Sequence, residues 1–364
     1  MTSLTVVVKV GTSSLTDDHG AIRPEAIGKL CHEVADVRAS GHRVVVVTSG
    51  AVAAGVAALG LSQRPTDIGV LQALSAVGQS RLMAVYNASL AERGLVGAQV
   101  LLVPHDFFDR RQYLHARETL ARLLELGVVP IINENDAIAN DELRFGDNDR
   151  LAALVAQSIA ADRLVLLTDM AGLFTADPRL DPTATLVEVV EESDDLAVQV
   201  GGAGSARGSG GMASKLAAAR MASWSGVTAV IARADRPDVL ADAVDGVIGV
   251  GTIFRPQQRR LSARKLWIAF AVAAAGRVVV DDGARSAVCE HGRSLLAAGV
   301  RDVVGEFGEA DAVEIVGPDG AVFARGLSAL SAVSLRHVAG RRTDELPEGT
   351  PREVIHRDDL VVLS

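Results

Sequence analysis

Residues 43–58 read Arg43-Val-Val-Val-Val-Thr48-Ser-Gly50-Ala-Val-Ala-Ala-Gly55-Val-Ala-Ala58. Four consecutive valines leave no polar face, which is how a strand covered on both sides reads. The small-residue turn Thr48-Ser-Gly50 then leads into a run with no bulky side chain, the pattern of a strand-to-helix turn. Strands are expected at Thr5–Val10, Arg43–Thr48, Gln99–Val103, Val128–Asn133, Arg163–Thr168 and Val227–Ala232. Periodic stretches lie between them. In Pro24–Ala39 the apolar positions Ile27, Leu30, Cys31 and Val34 fall at i, i+3, i+4 and i+7, with the proline suited to a first turn and Gly41 to a stop. Leu151, Leu154, Val155 and Ile159 repeat the pattern. Strand–helix alternation predicts an α/β fold, a three-layer αβα sandwich with a mainly parallel sheet. Pro130, inside an expected strand, predicts a strand start or an edge.

The chain has 364 residues, about two domains' worth, and 49% of them are hydrophobic, enough for a packed core. Its 36 basic and 45 acidic residues give a net charge of −9, which does not attract phosphate backbones or anionic lipid. Two cysteines exclude a disulfide framework and a four-thiolate metal site; Cys31 falls on the apolar face of its helix and reads as core. The longest apolar run, Leu266–Ala275, has ten residues, against the ~20 that span a bilayer. The first residues lack a basic n-region, so a cytoplasmic protein with no membrane segment is expected. Near residue 251 the character changes. Gly251–Arg260 is polar, contains Pro256 and reads as a linker. Beyond it, short runs at Arg277–Val280, Ala312–Val316, Val322–Arg325 and Leu360–Leu363 suggest a small β-rich domain. The expected division is a main domain at 1–258, a linker at 259–275 and a second domain at 276–364.

Several polar clusters follow the C-terminal ends of expected strands, the edge where open α/β sheets bind ligands. Lys9-Val-Gly11-Thr-Ser-Ser14 and Thr48-Ser-Gly50 are small-residue turns, the kind whose backbone N–H groups suit anions. Asn133-Glu-Asn-Asp136 and Gly146-Asp-Asn-Asp149 bring seven carboxylate or carboxamide side chains within 17 residues. Asn148 and Asp149 taken alone would equally suit a helix cap. Thr168-Asp169 ends an apolar strand, and Gly208-Ser-Gly-Gly-Met-Ala-Ser-Lys215 opens a helix. The last is neither a Walker A loop nor a dinucleotide fingerprint, yet glycines ending in a first-turn lysine suit a polyphosphate. No metalloprotease histidine spacing and no Gly-x-Ser-x-Gly elbow occur, and twelve aromatics leave little for stacking bases.

In this order the clusters resemble the amino-acid kinase family, in the branch that phosphorylates the side-chain carboxylate of glutamate. The resemblance is carried by Val44–Gly55, Ala76-Val-Gly-Gln-Ser-Arg81, Asn133–Asp136, Gly146–Asp149, Leu167-Thr-Asp169 and Gly210–Lys215. The tail is similar to a PUA domain through Val280-Asp-Asp-Gly-Ala284, Ser294-Leu-Leu296 and His356-Arg-Asp-Asp359. The resemblance implies ATP and L-glutamate as substrates, with Mg²⁺ on the nucleotide and L-glutamyl 5-phosphate as product. It also implies the first step of proline biosynthesis with proline as inhibitor, a homo-oligomer (dimer or tetramer), and product hand-off to glutamyl-phosphate reductase. By the same resemblance Lys9, Lys215 and Asp149 are catalytic, Asp149 orienting the two lysines, while Ser49, Asp136 and Asn148 hold glutamate. Lys9, Thr168, Asp169, Ser209, Gly210, Gly211, Met212, Ala213, Ser214 and Lys215 hold ATP; at Ser209 a threonine is common. No metal ligand is expected among the side chains. An acetylglutamate or aspartate kinase is the alternative, but those lack the appended domain. RNA binding through the tail is disfavoured, because its 14 basic and 15 acidic residues leave no excess of cations.

Overall fold

The structure, a computed structural model, describes residues 2–107, 109–138, 148–191, 211–257, 261, 263–271 and 274–363. The chain divides into two compact units, Met1–Arg260 and Leu261–Ser364.

In chain order the first unit comprises β1 (Thr5–Val10), α1 (Thr12–Leu15), α2 (Pro24–Ala39), β2 (Arg43–Val47), α3 (Ala51–Ala58), α4 (Ile68–Ala91), β3 (Gly97–Leu102), α5 (Arg110–Glu125) and β4 (Val129–Glu134). It continues with α6 (Asn148–Ser158), β5 (Arg163–Thr168), β6 (Val189–Val190), α7 (Met212–Trp224), β7 (Thr228–Arg233), α8 (Val239–Asp245) and β8 (Gly251–Phe254). The strands form one sheet in the order β3-β4-β2-β1-β5-β7-β8-β6, and every pairing is parallel except β7 with β8. The mainly parallel α/β sheet expected from the sequence is present.

Side chains alternate across a strand, and β1 shows what that does here. Val6, Val8 and Val10 join Val44 and Val46 in a core built with α2, α4 and α8. The intervening Lys9 points the other way, toward α6 and α7, where it meets Asp149 and where Lys215 arrives. From β1 the chain passes to β2 on one side and later returns to β5 on the other. The C-terminal end of β1 is therefore the place where strand order reverses, the crevice in which open α/β sheets bind ligands. Pro130 sits near the start of β4. Val129 and Asn135 donate toward the β3 side, so Pro130, out of phase with them, turns its nitrogen toward β2, whose pairing with β4 begins only at Ile131. No ladder bond is lost.

Among the described residues α4 is the helix whose length and composition would suit a bilayer. Here it is a core helix, with Leu71, Leu74, Leu82, Met83, Tyr86 and Leu90 buried. It lies unusually close to α3. A Cβ at Gly78 would stand 1.8 Å from the Ala51 carbonyl oxygen, and one at Gly55 would stand 2.0 Å from that of Leu74. Two glycines thus let the backbones touch.

Two expectations are corrected. Gly251–Phe254, read as the start of a linker, is a buried strand antiparallel to β7. Gly251 fits because a Cβ there would stand 2.1 Å from the Ile231 oxygen, and the Thr252 hydroxyl accepts the Leu173 N–H at 2.8 Å. Within 259–275, also read as linker, Ala263–Leu266 forms a short helix, α9, followed by a wider turn over Trp267–Ala271. Leu266 and Ile268 are buried and the Ala269 carbonyl accepts from Arg325 at 3.0 Å, so this segment is part of the second unit.

The rest of that unit comprises β9 (Gly276–Val280), α10 (Asp282–Cys289), β10 (Leu295–Leu296), β11 (Val300–Gly305), β12 (Ala312–Val316), β13 (Val322–Leu327), α11 (Ala332–Val338), β14 (Glu353–Ile355) and β15 (Leu360–Val362). Five strands pair in the order β11-β9-β12-β13-β15, and β10 pairs with β14. Its core includes Val278, Ile315, Phe323, Leu335 and Ile355.

Gly78→Ala forces α3 and α4 apart and is expected to cost about 1–3 kcal/mol. Gly28→Ala, mid-helix with nothing within 4 Å of the added carbon, is expected to stabilise by up to ~1 kcal/mol. Urea melts of the two variants check the contrast, and equal midpoints would contradict the close contact.

Candidate active site

Three charged side chains from separate elements converge at the switch point. The Lys9 ammonium on β1 lies 2.6 Å from Asp149 Oδ1, and the Lys215 ammonium, in the first turn of α7, lies 3.1 Å from Asp149 Oδ2. Each carboxylate oxygen takes one lysine. All three residues are buried, Asp149 to 1% exposure and the lysines to 4% and 6%. Removing such charges from water is costly unless they pair closely. Burial by itself would push the Asp149 carboxyl up, but Lys9 and then Lys215 hold it below the usual carboxylate range.

A second cluster of buried polar groups adjoins it. The Asn148 amide nitrogen donates to Ser49 Oγ at 3.0 Å and to Asn133 Oδ1 at 3.1 Å. The Asn148 side chain thus reaches to the ends of β2 and β4. Asn133 Oδ1 also accepts the Glu134 backbone N–H, and its Nδ2 donates to Gln79 Oε1 at 2.8 Å. Gln79 in turn donates to Gln99 on β3. Asn148 Oδ1 is buried with no partner among the described residues. Asp136, just past β4, accepts from Ser75 Oγ at 2.9 Å. Burial raises its carboxyl above the usual range, while the Ser75 hydroxyl and the Arg64 charge pull the other way.

On the other side of β1, Thr168 Oγ1 donates to Asp169 Oδ1 at 3.0 Å. A cavity of about 290 Å³ beside them is lined in part by Ser13, Ser14, Lys29 and Asp235. Gly211 is the cap of α7, which begins with Met212, Ala213 and Ser214; Ser209 and Gly210 lie outside the described residues. The helices α3 and α7 both start on glycine with no side-chain cap, whereas α4, α5, α10 and α11 are capped by Asp67, Asp109, Asp281 and Ser331. At Gly50, φ is 103°, a left-handed conformation that favours glycine. The N–H groups at a helix start are suited to an anion.

The sequence-predicted residues Lys9, Lys215 and Asp149 therefore meet, as do Ser49 and Asn148, while Asp136 is held by Ser75 of α4. The sequence reading missed Ser75 and Gln79. They lie one turn apart on the buried side of α4, and the only signal was that Gln79 falls inside the quoted stretch Ala76–Arg81. In the second unit a concavity of about 710 Å³ is bordered by Arg293 and Arg357 but also by Asp281 and Glu353, so neither sign of charge dominates it.

The model of the amino acid kinase family matches residues 4–233, and that of the PUA domain matches 276–350. The chain is 44% identical over 363 residues to a glutamate 5-kinase of Pelobacter propionicus, covering 98% of this chain and 97% of that protein. It is 47% identical over 368 residues to a glutamate 5-kinase of Gloeobacter violaceus, covering 99% of each. Among solved structures, a carbamate kinase from Giardia lamblia bound to AMP-PNP is similar in fold, with a TM-score of 0.51 at 19% identity, covering 70% of this chain and 99% of that one.

Ser75→Ala removes a donor that favours the ionised form of Asp136. Its titration midpoint is expected to move further above the ordinary aspartate value, read from the carboxyl carbon shift by NMR. A midpoint that stays or falls contradicts the assigned hydrogen bond.

Proposed function

The chain belongs to the amino acid kinase family, and we propose that it transfers the γ-phosphoryl group of ATP to the side-chain carboxylate of L-glutamate. The product is the acyl phosphate L-glutamyl 5-phosphate. The observation that carries this reading is the pair of buried lysines closing on Asp149 at the switch point of the sheet; the names of the full-length relatives support the choice of acid.

A glutamate side chain ionises with a pKa near 4.3, so the nucleophile is ready at neutral pH and no general base is needed. One carboxylate oxygen attacks the γ-phosphorus, the bond to the bridging oxygen breaks, and ADP leaves with that oxygen's electron pair. The obstacle is that an anion must approach a polyanion. Catalysis of such a transfer rests on positioning and on charge stabilisation. Lys9 and Lys215 neutralise the oxygens of the group in flight. Asp149 keeps both ammonium groups aimed and leaves the trio with a net charge of +1. Thr168, Asp169 and the segment Ser209 to Lys215 hold the nucleotide, and the amide groups at the start of α7 face its phosphates. Ser49, Asp136 and Asn148 hold the amino end of glutamate.

The residues fit a Mg²⁺ ion that arrives on ATP. Among the described residues no three carboxylate, imidazole or thiol groups converge on one point, and Asp149 is occupied by its two lysines. When bound, the ion adds positive charge at the phosphates.

Proline, like glutamate, carries an ammonium next to a carboxylate, though on a secondary nitrogen. It is a competitor for Asp136 and Asn148, as suits an enzyme at the head of a proline-forming route whose unstable product passes to a reductase.

The test is hydroxamate formation from glutamate, ATP and Mg²⁺; no product with glutamate but turnover of acetylglutamate or aspartate would overturn the choice of acid. Lys215→Ala is expected to lower kcat by about 10²–10³-fold, the size typical of one lost charge-stabilising donor, with KM for glutamate changed only a few-fold. An unchanged kcat removes Lys215 from the catalytic role. Proline is expected to raise KM for glutamate without lowering kcat, and a KM indifferent to proline contradicts the shared site.

A further inference from the structure

Four carboxamides form one hydrogen-bonded line from the site to the edge of the sheet: Asn148, Asn133, Gln79 and the exposed Gln99. A chain of amides can in principle run in either direction, because each side chain can flip. Here one donor that cannot flip sets the direction. The Glu134 backbone N–H donates to Asn133 at 2.9 Å, so that atom of Asn133 is its oxygen. The other end of Asn133 is then its NH₂ group, and it needs an acceptor in a place with 1% exposure. Gln79 Oε1 is that acceptor at 2.8 Å. On the other side, Asn133 Oδ1 and Ser49 Oγ take the NH₂ group of Asn148. The Asn148 oxygen is left over, buried and without a partner among the described residues. An orphaned buried acceptor is costly unless a ligand brings a donor to it.

We infer that Gln79 is a positioning residue for substrate selection: the Glu134 N–H sets the polarity of the amide line, and Gln79, by accepting the buried NH₂ group of Asn133, holds Asn133 in that orientation, so that Asn148 offers an oxygen, not an NH₂ group, to the substrate's amino end. This rests on the reading above that Asn148 holds the amino end of glutamate. An ammonium finds an acceptor at the Asn148 oxygen. With Asn148 reversed, it would meet two N–H donors and be rejected. Gln79 reaches this position because Gly78, its chain neighbour, brings α4 against α3. Gln79 is 7% exposed, and its hydrogen bonds run to Asn133 and Gln99.

The experiment compares Gln79→Met, which removes the acceptor at similar volume, with Gln79→Glu, which keeps an oxygen toward Asn133 while Gln99 turns its amide to donate. Glutamate and glutarate, which lacks the amino group, are the two substrates. Gln79→Met is expected to raise KM for glutamate about tenfold, the size of one net hydrogen bond, with kcat and KM for ATP within about threefold. KM for glutarate should not move, so the preference for the amino acid collapses. Gln79→Glu should restore KM for glutamate to within about threefold of wild type. Equal losses on both substrates, a fall in kcat alone, or no change with Met overturns the inference. Gln79→Ala is run in parallel; if Met and Ala both fail to fold while Glu folds, Gln79 is a stability residue and the inference falls. Wild-type enzyme that turns over neither acid overturns the proposed function instead, a separate result.

Discussion

One buried carboxylate holds the site together. Asp149 lies at the start of α6, and its two oxygens draw in a lysine from the middle layer of the sheet and a lysine from the start of α7. Neither ammonium would tolerate so little water alone, and neither would the carboxylate. The three elements are therefore locked in one arrangement by a contact that is satisfied as a set. With two cations against one anion the set retains a positive charge, so the lysines are both fixed in place and still attractive to phosphate. Donors already oriented before a ligand arrives need not reorganise when charge develops, and that is where electrostatic catalysis gains most.

The second constraint is steric. Parallel strands bury both faces, so the helices beside them must approach closely, and the closest approach here is made by glycines. Gly55 and Gly78 let α3 and α4 meet backbone to backbone. That contact carries α4 near enough for Ser75 to reach Asp136, Gln79 to reach Asn133 and Tyr86 to reach Thr48 at 2.9 Å. A helix with no marked polar face thus delivers three polar groups inward.

The sheet was legible because its strands are unbroken apolar runs punctuated by small-residue turns, and Thr5–Val10 and Arg163–Thr168 have the expected bounds. The meeting of Lys9, Asp149 and Lys215 was anticipated through cluster order rather than spacing, since these residues are far apart in the chain. Gly251–Phe254 was missed because a glycine and a threonine open it and a polar stretch with a proline closes it; its strand character comes from Ile231 and Leu173, which no local window contains. Ser75 and Gln79 were missed for the same kind of reason. Their partners lie 61 and 54 residues away, and inside a helix of this composition a serine and a glutamine carry no periodic signal.

The two clusters also impose a direction on anything that binds between them. Asn148 and Asp149 are neighbours, yet their surroundings are opposite in sign. Asp149 faces two ammonium groups, while Asn148 presents a buried oxygen that has no partner among the described residues and favours a donor. A small molecule with a carboxylate at one end and an ammonium at the other matches both environments in a single orientation. Reversed, it would set its ammonium against the lysines, and such juxtapositions cost several kcal/mol. On the proposed function, this would bring the carboxylate to the lysines and the phosphate and turn the amino end away from them before any bond is made.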